Sequence, residues 1–167
     1  AEFSRFSDAG KLMALASYAN RSSPTSQEKE ILSLLLSNTE HVKAQELLKF
    51  HDYSHYNVGL EDQEFRNFAG ILSEKIFERF FDFAKTKLTK GKPLLIAGGC
   101  GLNCDWNSKW EESGYFSQVF VPPVANDSGS AIGTAIDTQY HFTGNPKIEW
   151  NVYSGKEFDV HQPFDTS

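Results

Sequence analysis

The sequence predicts an α/β protein in which helices flank a small, largely parallel or mixed sheet. Its 167 residues are 40% hydrophobic and 23% charged, which is a globular composition at the length of about one domain. Helix-like and strand-like patterns alternate along the second half with short links, and this order favours parallel strands joined by helices. Only two or three strands can be recognised, so we expect the chain to be half of a larger fold.

The first sixty residues are predicted to be mainly helical. Apolar residues recur at helical spacing in residues 8–19 and 27–37. Ser26, with Glu28 close behind it, forms a plausible start for the second of these helices. The polar stretch that follows is irregular, with one possible short element from Ala44 to Phe50.

The longest helix is predicted from Asp62 to Leu88, with Gly91 as its stop. Its apolar residues are three or four positions apart and form a stripe along one face of the helix. Further apolar residues widen this stripe, so we expect other elements to pack on more than one side of the helix. The main stripe consists of Phe65, Phe68, Ala69, Leu72, Ile76, Phe80, Phe83 and Ala84. Six of the fourteen Phe residues, the largest group, lie in the middle third of the chain, and we expect the Phe residues to pack in the core.

A strand, helix, strand, helix order is predicted from Pro93 onward. The apolar run PLLIAGG is typical of a buried parallel strand. A helix is expected from about Leu102 to Glu112, and a second strand within residues 117–123 is ended by prolines. A helix of small residues, 131–142, follows, and residues 148–153 offer one further strand.

Composition and charge exclude several classes of function. The formal net charge of −6 argues against a nucleic-acid surface, which requires a basic stripe. No apolar stretch approaches the roughly 18 residues of a membrane span. The polar start does not read as a signal peptide, and Cys100 and Cys104 are expected to be free thiols. These features together favour the cytoplasm.

The first candidate site is the glycine-rich stretch that follows the apolar strand. A strand that turns on Gly98 and Gly99 into a helix leaves backbone N–H groups unpaired, and these attract an anion such as a phosphate. The alternative is that the glycines only allow tight packing between the strand and the helix. Asn103 lies about one turn into this helix, where its amide either reaches the same ligand or caps the turn.

The second candidate site is the sequence NDSGS, which follows the second strand. Asp127 there is well placed to hold a metal or to orient a hydroxyl, because it lies at the carboxyl end of a strand opposite another glycine turn. The alternative is that Asp127 or Ser128 caps the following helix. Two such turns in one half-domain favour a ligand cleft.

Histidine and cysteine offer weaker candidates. His51 and His55 have the four-residue spacing of a helical metal pair, but the surrounding sequence lacks helical periodicity and a third ligand, so a polar loop is favoured. Neither cysteine has a partner that would activate it as a nucleophile.

Residues 97–136 resemble the signature of the antibiotic and nodulation-factor carbamoyltransferases. In that pattern an apolar strand precedes A-G-G-x-x-L-N-C, and F-x-x-V-F-V-x-P precedes an Asp, a Gly and a small-residue helix. The matching residues are Gly98, Gly99, Leu102, Asn103, Cys104, Asn107, Phe116, Val119, Phe120, Val121, Pro123, Asp127, Gly129, Ala131 and Gly133. Upstream, AGKLMALASYA resembles the family's E-G-K-x-M-x-L-A-x-Y-G, with Ala9 in place of the Glu and Ala19 in place of the Gly.

The resemblance implies a fold and a domain organisation. It implies half of an actin/sugar-kinase/heat-shock-ATPase-like (ribonuclease H-like) domain, with residues 1–167 as a single domain that forms the second subdomain of a carbamoyl-transfer domain. The N-terminal half of that domain, with the family's His-x-x-x-His metal motif, is expected upstream of this sequence. The separate carbamoyl-adenylating domain is expected downstream and is absent here.

The resemblance also implies a reaction and its site residues. Carbamoyl phosphate and ATP give carbamoyl adenylate, and the carbamoyl group passes to the hydroxyl of a small-molecule acceptor. By this resemblance Asp127 is a ligand of a divalent metal, often iron. The nucleotide is held by Gly98, Gly99, Asn103, Ser128 and Gly129. The alternatives are a sugar-kinase-like phosphotransferase half-domain and a non-catalytic nucleotide-binding module.

Overall fold

A computed structural model describes residues 9–37, 48–55, 58–149 and 151. The chain divides into two compact units, which we call the helical unit (residues 1–90) and the α/β unit (residues 91–167). The α/β class is confirmed, because a two-stranded parallel sheet has helices beside it in the second unit. That residues 1–167 form one subdomain of a larger transfer domain stays a prediction.

The described part of the helical unit confirms the three predicted helices. These are α1 (Ala9–Ala16), α2 (Ser26–Ser37) and α3 (Gln63–Lys87), with a short 3₁₀ turn at Leu48–Phe50. Asp62 caps α3, because its side chain accepts a hydrogen bond from the Phe65 N–H at 2.8 Å. The predicted glycine stop is wrong: Leu88 ends α3 in an extended conformation, three residues before Gly91. Part of the expected element at 44–50 lies outside the described residues.

The longest helix, α3, carries the core of the helical unit, although its Phe residues are only partly buried. Phe77 is buried as predicted, but Phe80 and Phe83 are exposed. The expectation that the Phe residues pack in the core is therefore wrong for Phe80 and Phe83, since the most deeply buried apolar residues of α3 are smaller. Among the described residues of this unit, the buried apolar ones are Leu32, Tyr53, Ala69, Ile71, Phe77 and Ala84.

Helix α1 and the turn after it pack closely against α3 at Gly70. A Cβ atom at this position would lie 2.5 Å from the Ala19 Cβ and 3.2 Å from the Ala16 carbonyl oxygen. Beside this contact the buried side chain of Asn67 accepts hydrogen bonds from the Asn20 N–H at 2.9 Å and from Gln63 at 3.2 Å. Packing and hydrogen bonds therefore fasten the α1 segment to the first half of α3.

Gly70→Ala is expected to destabilise the helical unit by about 1–3 kcal/mol. The steric cost of the added methyl at this contact exceeds the stability that alanine gains over glycine through its helix propensity. Gly10→Ala is the matched control, because nothing lies within 4 Å of its Cβ position in α1. The measurement is hydrogen exchange of the α1 and α3 amides. Equal protection in the two variants would contradict the contact.

The α/β unit alternates strands and helices in the predicted order. Its regular elements are β1 (Pro93–Leu95), a 3₁₀ turn (Gly99–Leu102), α4 (Cys104–Glu112), β2 (Gln118–Phe120), a second 3₁₀ turn (Asp127–Gly129) and α5 (Ser130–Thr143). The strands are parallel, with Leu94 opposite Val119 and Leu95 opposite Phe120. Trp106 and Trp110 are buried and anchor α4, the latter with its ring centroid 5.7 Å from that of Phe116.

The strands are not buried as predicted. Leu95 is 74% exposed and Phe120 is 52% exposed, whereas Leu94 and Val119, on the other face, are half-buried. The reason is that the described sheet has only two strands and α4 packs on one side of β2. Residues 148, 149 and 151 have no strand structure, and the rest of the possible strand at 148–153 lies outside the described residues. None of the described helices is both long and apolar enough to cross a membrane.

Candidate functional site

Two turns that follow the strands of the α/β unit lie side by side. We call them the glycine turn (residues 98–102) and the acidic turn (residues 126–129). The Gly98 N–H donates a hydrogen bond of 2.6 Å to the carbonyl oxygen of Ala125, which is itself buried. The turns meet because the carboxyl ends of parallel strands share one edge of a sheet, the usual position of a ligand site in α/β folds.

The glycine turn requires glycine at its first position, because Gly98 has a φ of +97°. The Gly98 N–H is occupied by Ala125, so this group is not one of the free donors that the sequence suggests. Helix α4 begins at Cys104, about two residues later than predicted. Of the two roles open for Asn103, the structure shows capping: its buried side chain accepts a hydrogen bond from the Trp106 N–H at 3.2 Å.

The acidic turn leaves the Asp127 side chain exposed to solvent. Neither Asp127 nor Ser128 caps α5, since the N-cap position is Gly129 and no side chain bonds to it. A Cβ atom on Gly129 would collide with the Val124 carbonyl oxygen, so this turn can fold back on residue 124 only with glycine here. The Ser130 hydroxyl closes the turn by donating to the Asp127 carbonyl oxygen at 2.7 Å.

A cavity of about 530 Å³ opens between the acidic turn, the end of β2 and α5. Three of the predicted site residues, Gly98, Asp127 and Gly129, line it, whereas Gly99, Asn103 and Ser128 do not. Most of its other walls are apolar, formed by Ala97, Phe120, Pro122, Pro123, Val124, Ala125, Ile132 and Ile136. An apolar pocket of this size with a few polar groups at one end is suited to an organic ligand. The nucleotide and metal assignments of these residues stay predictions.

His51 and His55 do not form a metal pair in the described structure. His51 is exposed, and its ring nitrogens lie 3.0 Å from the Leu48 carbonyl oxygen and 3.0 Å from Asp52. His55 is buried, with Nε2 2.9 Å from Oε1 of Glu28. The segment consists of turns rather than a helix, as the polar-loop interpretation expects.

Sequence reasoning missed a buried ionic cluster around Glu28, which is 0% exposed. Arg21 binds both carboxylate oxygens at 2.7 Å, and the Thr25 N–H donates at 2.6 Å. Burial alone would raise the pKa of Glu28, but hydrogen bonds from Arg21, His55 and Thr25 lower it to about 2. The visible signal was the capping box Thr25-x-x-Glu28, since the Thr25 hydroxyl also accepts from the Glu28 N–H at 3.2 Å.

The same cluster brings together three groups of metal-ligand type. Ligand atoms of Glu28, His55 and Glu64 lie within 4.8 Å of one another. However, Nη2 of Arg21 donates to Glu28 at 2.7 Å and to Glu64 at 2.5 Å. A guanidinium therefore supplies the positive charge between these carboxylates, and the arrangement is that of an ionic clamp between the chain before α2 and the start of α3.

Comparison with known proteins connects the site to a family. Residues 2–136 match the family model described as "Carbamoyltransferase N-terminus". The chain is 47% identical over 157 residues to 3'-hydroxymethylcephem-O-carbamoyltransferase of Streptomyces clavuligerus, covering 94% of this chain and 30% of that protein. The corresponding enzyme of Amycolatopsis lactamdurans is 46% identical over 92% of this chain and 29% of its own length.

A second group of relatives is named nodulation protein U. The one from Rhizobium tropici is 40% identical over 117 residues, which cover 65% of this chain and 20% of that protein. The chain thus spans less than a third of the length of the curated relatives it matches. Both turns and the cavity between them lie within or next to the matched region, and this chain belongs to the carbamoyltransferase family of the antibiotic and nodulation type.

Proposed function

We propose that the protein to which this chain belongs is an O-carbamoyltransferase, and that the α/β unit provides one wall of its transfer site. The cavity at which Gly98, Asp127 and Gly129 meet carries this proposal, because the turns that form it contain the residues that resemble the family signature. In the proposed reaction carbamoyl phosphate loses its phosphate to water as orthophosphate, and an oxygen of the resulting carbamate attacks the α-phosphate of ATP, which releases pyrophosphate and gives carbamoyl adenylate. The acceptor hydroxyl then attacks the carbamoyl carbon, loses its proton and displaces AMP. The two cephem relatives, named as O-carbamoyltransferases, support an acceptor of small-molecule size.

We also propose the actin/sugar-kinase-like fold for the complete transfer domain. The α/β unit supports it with a parallel strand pair joined by a helix, two turns at one sheet edge and an exposed sheet face formed by Leu95 and Phe120. A face of that kind is normally covered by helices in an α/β domain, so its exposure supports additional secondary structure that covers it in the complete transfer domain.

The size and the apolar walls of the cavity support a nucleotide as its ligand. Its apolar walls, which include Phe120, Ile132 and Ile136, suit a heterocycle, and at Gly98 no side chain blocks a close approach to the backbone. Gly99, Asn103 and Ser128 lie in or next to the same two turns but do not line the cavity. Asn103 fixes the start of α4, and nucleotide contacts of Gly99 and Ser128 stay predictions.

Asp127 is proposed as one ligand of a divalent metal, iron included, because its carboxylate is exposed at the cavity and is not used as a helix cap. The described residues contain no three-ligand group around Asp127, so the other ligands would come from residues outside those that the structure describes. A metal there would supply positive charge that stabilises the developing charge on the carbamoyl oxygen and the leaving phosphate. The contribution of this chain is to hold the carboxylate in place, through the Ser130 bond to the Asp127 carbonyl and the close fold of Gly129 on Val124.

The test is an assay of the full-length protein with carbamoyl phosphate, ATP, a divalent metal and a panel of hydroxyl-bearing acceptors. We expect release of pyrophosphate and AMP together with a carbamoylated acceptor. If ADP and a phosphorylated acceptor form when carbamoyl phosphate is left out of the assay, the proposal is refuted in favour of a sugar-kinase-like phosphotransferase. Nucleotide binding without any turnover would favour the non-catalytic alternative.

A further inference from the structure

The side chain of Asn107 contacts the glycine turn without lining the larger cavity. Its Nδ2 donates a hydrogen bond of 2.8 Å to the carbonyl oxygen of Gly101. Asn107 does not line the 530 Å³ cavity; with Cys104, Ser108, Glu111 and the two valines of the β2 segment it lines a separate one of about 360 Å³. An effect of Asn107 on ligand binding in the larger cavity would therefore be indirect, through the position of Gly101.

Gly101 is in turn packed against the chain that leads to the acidic turn. A Cβ atom on Gly101 would lie 2.9 Å from the Ala125 Cβ and 3.3 Å from Cγ1 of Val121. The Gly101 N–H donates to the Gly98 carbonyl at 2.9 Å, and the Gly98 N–H donates to Ala125. A displacement of Gly101 would therefore disturb both Gly98 and Ala125, which stands two residues before Asp127.

The Asn107 amide contains a buried polar atom that lowers the stability of the fold, which an apolar side chain would not do. Its Oδ1 is buried and has no hydrogen-bond partner within the part of the chain that the structure describes. A buried acceptor without a partner destabilises the fold, so the hydrogen bond from Nδ2 to Gly101 is the contribution that explains an amide at this position.

We propose that Asn107 is a positioning residue that fixes the glycine turn relative to the acidic turn and thereby sets the affinity of the larger cavity for its nucleotide. The identity of that ligand rests on the proposed function. The positioning role itself does not depend on which ligand binds, because it is inferred from the hydrogen bonds and close contacts of Asn107, Gly101 and Ala125.

The test variant is Asn107→Asp in the full-length protein, which keeps the shape of the side chain and removes its donor. At pH 7.5 the new carboxylate faces the Gly101 carbonyl oxygen and repels it. We expect KM for ATP to rise about tenfold while kcat stays within about threefold, as for the loss of one hydrogen bond that acts on binding. Burial and the nearby Gly101 carbonyl oxygen should raise the pKa of this carboxyl above its usual range. As the pH is lowered a growing share of the carboxyl is then protonated and donates again, so the ratio of the variant KM to the wild-type KM should shrink.

A readout without catalysis is hydrogen exchange at Gly98, Gly101 and Asn103, whose N–H groups are all bonded within this region. Exchange should become faster in Asn107→Asp and stay unchanged in Ser108→Ala, the neighbouring residue that lines the same smaller cavity. Faster exchange in a protein that shows no carbamoyl transfer would refute the proposed function and support the positioning role.

Trp110→Phe separates positioning from general stability, because it weakens the anchor of α4 at a buried residue that packs against Phe116. If this variant, at a comparable loss of Tm, raises KM as much as Asn107→Asp does, the positioning role is refuted. Unchanged exchange and unchanged KM in Asn107→Asp would refute it as well.

Discussion

Carbamoyl transfer by the full-length protein is expected to fall at least about 100-fold in the variant Asp127→Asn. The substitution removes the negative charge but keeps the size of the side chain, and the loss of residues that merely support a metal ligand already costs about 10- to 100-fold. Asp127 is exposed and does not cap α5, so the fold should be unaffected. The measurements are the transfer rate, the metal content by elemental analysis and Tm.

Asp137→Asn is the matched control, because Asp137 is an exposed acid in the same stretch of chain, on α5, and does not line the cavity. We expect this control to keep both its metal and its activity. An Asp127→Asn protein that retains the full metal content would show that the assigned metal role is wrong, even if transfer were lost.

Arg21→Met is expected to destabilise the helical unit by about 3–5 kcal/mol at pH 7. The variant leaves the carboxylate of Glu28 buried without its main partner, and breaking a buried ion pair from one side has a cost of this size. The measurement is the free energy of opening of α2 and α3, from hydrogen exchange in the full-length protein.

The pH dependence of the same cluster provides an independent measurement. The pKa of Glu28 is lowered in the folded protein from its ordinary value of 4.5 to about 2, so its ionisation stabilises the fold above pH 4.5. This contribution, of about 3 kcal/mol, is lost as the pH falls from 4.5 through 2. The difference between the wild type and Arg21→Met should therefore be largest at neutral pH and shrink below pH 4.5.

Lys75→Met serves as the control, because Lys75 pairs with Glu78 at 2.6 Å on the exposed side of α3. A pair on the surface contributes less than about 1 kcal/mol. Should Arg21→Met lower the opening free energy no more than Lys75→Met, the buried cluster would have no stabilising role.

The helices and the order of the strands could be predicted because they depend on local patterns. The apolar spacing of α3 is continuous over 25 residues, and the strand, helix, strand order of the α/β unit requires parallel pairing. The end of α3 was predicted within one residue, but its stop at Gly91 was not, because Leu88 leaves the helical conformation before any glycine or proline is reached.

Burial and long-range partners could not be predicted in the same way. The apolar composition of β1 predicts cover on both faces, whereas the exposure of Leu95 depends on which other elements are nearby. The bond between His55 and Glu28 joins residues 27 positions apart and depends on how the helices pack. At the candidate site the sequence predicts both turns, but not that the Gly98 N–H is bonded to Ala125 or that Asn107 is bonded to Gly101.

The two short strands also have a consequence for biosynthesis. In the described part of the chain each strand of this parallel pair has only one neighbour, so its outer edge is a template to which another chain can add a strand. The exposed Leu95 and Phe120 add an apolar face, which makes the pair vulnerable to aggregation while the polypeptide is still being made. Pro93 opens β1, and Pro122 and Pro123 follow soon after β2. Proline lacks the N–H that strand pairing needs, so these residues restrict the length over which a wrong strand can attach to a newly made chain.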